Sequence, residues 1–178
     1  MQRNENPDSS GLRLYNYKTM TAQFKHLITI EGELHSLSSD PLSYYLYDKS
    51  ISIRSNCSAC WSGYLANWEI IGTELYLTRI NPCFTDDENK KILSMENLFP
   101  GKEKVFAEWF TGELIIQQGK CLNYIHYGYA STYETHIYYE VENGIITGWR
   151  TEDNRGKTFP PKFSKDFSWE GLFKNEEE

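Results

Sequence analysis

The chain has 178 residues, 25 of them acidic and 18 basic, for a formal net charge of −7. That length suits one domain with a sizeable core. The acidic balance, with Lys90-Lys91 as the longest basic cluster, counts against nucleic acid and anionic membranes as partners, because both are bound by basic stripes. Tyr, Phe and Trp make up 15% of the chain, which favours a sheet-based core, since aromatic side chains suit pleated, half-buried surfaces. No run of about 18 apolar residues occurs, so no transmembrane helix is expected. Residues 1–10 are polar and lack the apolar centre of a secretory signal. Four cysteines in a chain this long is not a disulfide-dense pattern. A cytoplasmic protein with reduced thiols is the expectation.

Residues 1–10 read as a frayed terminus, 11–150 as a β-rich domain and 151–178 as a polar extension held in part by aromatics such as Phe159 and Trp169. Leu12 to Tyr17 suits a short strand or lead-in. Phe24 to Leu37 reads as a strand or bent hairpin interrupted by Gly32. Ser39-Asp40-Pro41-Leu42 is a helix start, with Pro at the first position and Asp or Ser as cap. The helix over 42–47 should bury Leu42, Tyr45 and Leu46. Trp61 to Ile71 and Glu74 to Ile80 form the first clear hairpin, with Tyr64, Ala66, Trp68 and Ile70 alternating on one face and Leu75 and Leu77 on the returning strand.

Thr85-Asp-Asp-Glu88 has the spacing of a capping box and predicts a helix through about Met95. Pro100-Gly101 ends that region. Val105 to Phe110 suits either strand or helix, and Thr111 to Gln117 suits a strand. Ile125 to Tyr129 should bend at Gly128. Ile137, Tyr139 and Val141 alternate with polar neighbours and lead into Asn143-Gly144, a strong hairpin signal because the favoured turn needs positive φ at both positions. Glu31-Gly-Glu-Leu34, Gly72-Thr-Glu-Leu75 and Thr111-Gly-Glu-Leu114 echo one another about 40 residues apart, and turn glycines before strands account for them.

Several residues suggest chemistry. Cys57 and Cys60 have the spacing of a zinc knuckle or redox pair, but no second paired spacing completes four ligands. They read first as ordinary core or edge cysteines, with no metal and no cofactor expected. Glu69, Glu108, Glu113 and Glu134 lie in or beside apolar runs, and Glu69, between Trp68 and Ile70, is the foremost of them. His126 sits among Tyr124, Tyr127, Tyr129 and Tyr133, with weaker claims for His35 and His136. Glu69 and His126 would be the acid–base pair if the chain is an enzyme. Trp61, Tyr64, Trp109, Tyr129, Tyr133 and Glu134 are candidates for a recognition surface, since aromatics dominate interfaces. No Walker loop, GxGxxG, HExxH or EF-hand loop occurs.

Four blocks carry a resemblance. They are Ser39-Asp-Pro-Leu-Ser-Tyr-Tyr45; Cys57-Ser-Ala-Cys-Trp-Ser-Gly-Tyr-Leu-Ala-Asn-Trp-Glu-Ile70 with Leu75-Tyr-Leu77; Leu98-Phe-Pro100 through Val105-Phe-Ala-Glu-Trp-Phe-Thr-Gly-Glu-Leu114; and Tyr124-Ile-His-Tyr-Gly-Tyr-Ala-Ser-Thr-Tyr-Glu134. Together they resemble a family of uncharacterised small bacterial proteins, whose pattern has a basic residue where Ser62 stands. The resemblance implies a bacterial, cytoplasmic origin and supplies no catalytic residues.

The sequence therefore points to a single mainly β or α+β domain, an antiparallel sheet of hairpins with one or two short helices. The functional expectation is a non-catalytic protein-binding module, such as an inhibitor or immunity-type partner of a basic protein. The alternative is a small hydrolase or transferase with Glu69 and His126 in an aromatic-lined pocket. Oligomeric state is not legible.

Overall fold

A computed structural model describes residues 22–159. The expectations for 1–10, Leu12 to Tyr17 and 160–178 lie outside the described residues. Within them, eight strands and three short helices follow in the order β1 (His26–Ile30), β2 (Glu33–Leu37), α1 (Pro41–Asp48), β3 (Tyr64–Ile71), β4 (Glu74–Pro82), α2 (Asp87–Ile92), α3 (Met95–Leu98), β5 (Val105–Phe106), β6 (Gly112–Asn123), β7 (Thr132–Glu142) and β8 (Ile145–Asp153). The sheet order is β3-β1-β2-β6-β7-β8-β4, and β4 returns to β3, so seven strands close into a barrel. The two-residue β5 adds to β4 at Tyr76 and Leu77, beyond the point where β8 meets it.

The mainly β reading holds, with two corrections. The sheet is mixed, because β1 pairs in parallel with β3, from Leu27 beside Asn67 to Ile30 beside Ile70. The chain leaves β2 through α1 and a long coil before entering β3 in the direction of β1, and a connection of that length permits parallel pairing. There are also three helices rather than one or two. Asp86, not Thr85, caps α2 by accepting from the Asn89 amide. The run then breaks at Leu93, and Ser94 starts α3 by accepting from the Asn97 amide.

The alternation places the core. Tyr64, Ala66 and Trp68 on β3 and Leu75 and Leu77 on β4 are buried, with Ile70 half-buried. Ile28, Leu37, Leu114, Ile116 and Val141 complete the same cluster from the other strands. α1 contributes Leu42 and Leu46, while Tyr45 is half-buried against Phe99 and Trp109. Asn143 and Gly144 take φ 49° and 81°, as the hairpin reading requires, and Glu31-Gly32 repeats this at φ 50° and 82°. The Glu-Leu echoes each fall at the start of a strand, but Leu34 faces solvent where Leu75 and Leu114 are buried, so they mark turns rather than a structural repeat.

Antiparallel pairing of Tyr64 with Pro82 also brings the flanking residues together. The Cys83 amide donates to the Gly63 carbonyl, and Cys83 forms a disulfide with Cys60. The expectation of reduced thiols is corrected at these two positions; Cys57 and Cys121 are free. Among the described residues, no helix is long and apolar enough to cross a membrane.

Candidate functional site

The site begins at His26, the first residue of β1. It stands on the same face as Ile28 and is fully buried, an unusual position for a histidine. Its Nδ1 accepts from the Ala66 amide at 3.0 Å across the parallel pairing. An acceptor Nδ1 carries no proton, so the proton of the ring sits on Nε2. Nε2 has no well-formed hydrogen bond and lies 3.5 Å from Asp40 Oδ1.

Asp40 is the residue before α1. It does not cap the helix with its side chain, as the sequence suggests. Its carboxylate instead accepts from the Tyr64 hydroxyl, 2.9 Å from each oxygen. Tyr64 stacks beside His26, with ring centroids 5.7 Å apart. Burial first, and then Asp40, push the Tyr64 phenol well above its ordinary pKa, which keeps it a donor. The same two causes raise Tyr129, whose hydroxyl donates to the Phe24 carbonyl.

Asp40 and Tyr64 form part of the wall of a cleft of about 720 Å³. Its other walls come from the second half of α1, the coil 50–53 and the Trp61-Ser62 turn. Tyr47, 87% exposed, and Trp61, 44% exposed, offer aromatic surface to it. Asp48 also lines the cleft, but its carboxylate pairs with Lys49 at 2.9 Å. Hydroxyls of Ser43, Ser50, Ser52 and Ser62 add polar groups.

The residues predicted as sites fare unevenly. Trp61 lines the cleft and meets Tyr127 edge-on at 5.9 Å. Tyr64 is core, with its hydroxyl alone turned toward the site. Trp109 is structural: it stacks on Phe99 and donates through Nε1 to the Pro41 carbonyl, bracing α1. Tyr133 lies under the Lys25 ammonium, and Glu134 accepts from the Lys120 amide. Glu113 is paired with Arg150, and Glu108 is exposed. His35 lies 4.0 Å from Glu33. His136 has its pKa lowered by burial, accepts from the Tyr133 amide and contacts the Tyr138 hydroxyl.

The structure does not bring Glu69 and His126 together. His126 is exposed beside Tyr124, in a loop that meets residues 23–24 and Trp61. Glu69 points away from the face of Trp68, five strand residues beyond Tyr64, or about 16 Å further along β3 at the usual rise. Acid and base partners must both reach one substrate, so this pair is removed as a catalytic unit. The zinc pairing of Cys57 with Cys60 is likewise displaced, because Cys60 is joined to Cys83.

Sequence reasoning passed over His26 and treated Asp40 only as a cap. One signal was available: His26 occupies the first inward position of a strand whose next inward residue is Ile28. Comparison with protein-family models, curated proteins and solved structures finds no match for this chain.

Proposed function

We propose that this protein is a non-catalytic recognition domain that seats a segment of a basic protein partner in the Asp40–Trp61 cleft. The observation that carries this reading is the cleft itself, open to solvent, walled by exposed Trp61 and Tyr47 and lined also by Asp40. Exposed aromatics beside a concavity are the usual anchors of protein recognition. A net charge of −7 favours a basic partner, since opposite charge accelerates encounter. An inhibitor or immunity-type role suits a small acidic domain of this kind.

The test is affinity capture from lysate of the native host at low salt, comparing the wild type with a Tyr47→Ala/Trp61→Ala double variant. We expect one saturable basic partner that the wild type retains, high salt releases and the variant loses. Retention by the variant at equal stoichiometry, or no saturable partner at all, would overturn the reading.

A further inference from the structure

Among the described residues, no Lys or Arg is paired with Asp40. Its side chain is only 19% exposed. A partly buried carboxylate is stabilised by a nearby cation, because taking charge out of water is costly. Among the described residues, the groups that meet this one are the neutral Tyr64 hydroxyl and the Nε2–H edge of His26. His26 cannot be the missing cation while Nδ1 accepts the Ala66 amide, since an imidazolium has no lone pair to offer. Among the described residues, no Lys or Arg lines the cleft that Asp40 helps to form, and the nearby Lys49 is engaged with Asp48. Trp61 and Tyr47 line the same space, and aromatic faces attract cations and stack well with planar ones.

Resting on the recognition reading above, the geometry points to a guanidinium as the missing counter-charge: the cleft receives an arginine side chain of the partner, with Asp40 as its anion and Trp61 and Tyr47 as its aromatic walls. His26 and Tyr64 are positioning residues here. The Nε2 edge of His26 lies 3.5 Å from the carboxylate, and Tyr64 donates to it.

The experiment is a titration of the full chain with arginine amide, citrulline amide and lysine amide, followed by the indole N–H resonance of Trp61 in heteronuclear NMR. Citrulline has nearly the shape of arginine without its charge. Arginine amide should bind roughly tenfold tighter than citrulline amide and more tightly than lysine amide. In Asp40→Asn, which retains an acceptor for Tyr64, the preference over citrulline should vanish. Trp61→Ala changes an exposed side chain and serves as a second variant, followed through the Asp40 and Tyr47 amides; it should weaken arginine amide. Equal binding of citrulline amide, a preference for lysine amide, or no saturable shift would overturn the inference. If arginine selectivity is absent while the Tyr47→Ala/Trp61→Ala variant still loses its captured partner, the guanidinium assignment fails alone. If the variant also keeps its partner, the recognition reading fails with it.

Discussion

At Asp40 one side chain is drawn from a local role to a distant one. An aspartate before Pro41 suits a helix cap, yet its carboxylate serves Tyr64, 24 positions away, and leaves the helix amides uncapped by it. Pro41 has no amide to cap and the Ser43 amide donates to the Asp40 carbonyl, whereas a buried phenol needs an acceptor. The same burial ties Tyr64 and Tyr129 to alkaline stability. Both phenols are raised above their ordinary value, so the folded chain keeps protons that the unfolded chain releases. Their contribution is therefore complete below about pH 10 and falls as pH rises beyond it. Urea denaturation between about pH 8 and pH 11 should show stability dropping through the upper part of that range. The drop should be shallower in Tyr129→Phe than in the wild type. A parallel decline in both proteins would contradict this account.

Among the elements, the hairpin turns divide into those that only need a backbone conformation and those that also need space. Gly32 and Gly144 have nearly the same φ, +82° and +81°. A Cβ on Gly32 would meet nothing within 4 Å, whereas one on Gly144 would lie 2.7 Å from the Ala107 carbonyl oxygen. Gly144 is held there because its amide donates to the Phe110 carbonyl and its own carbonyl accepts from Leu75. Alanine at either site should cost about 1 kcal/mol for the left-handed conformation. Gly144→Ala should cost roughly 1–3 kcal/mol more, because backbone must shift to admit the methyl group. Denaturant midpoints of the two variants, with unchanged slopes, measure the difference directly. Equal losses would show that the β8 turn has room the structure does not give it.

At the scale of the whole molecule, closure depends on two thin seams. β2 meets β6 through one ladder pair, Leu37 with Ile116, reinforced where Ser38 donates to Ile115 and Ser39 Oγ accepts from it. β4 meets β8 at Glu74 and Ile145, with the Leu75 and Ile146 amides bonded across the joint. By contrast, β6, β7 and β8 are paired along most of their lengths, as are β3 and β4. The barrel is thus a β1–β4 half and a β6–β8 meander sharing one hydrophobic core. Opening should begin where few bonds must break. In native-state hydrogen exchange, the amides of Ser38, Ile115, Leu75 and Ile146 should exchange through sub-global opening, ahead of mid-strand amides such as Tyr138. Uniform protection set by global unfolding alone would mean that the seams are not weak points.

What the sequence determined by itself was local: the β class, the hairpin at Asn143-Gly144, the inward alternation of Tyr64, Ala66 and Trp68, and the helix start at Pro41. These follow from φ preference and from the two-residue period of a strand, which act between near neighbours. The parallel pairing of β1 with β3, the closure of the sheet, the Cys60–Cys83 bond and the separation of Glu69 from His126 were decided only by tertiary structure. So was the meeting of His26, Asp40 and Tyr64. Each of those joins residues 14 to 79 positions apart or keeps them apart, and no local period records which distant strands become neighbours.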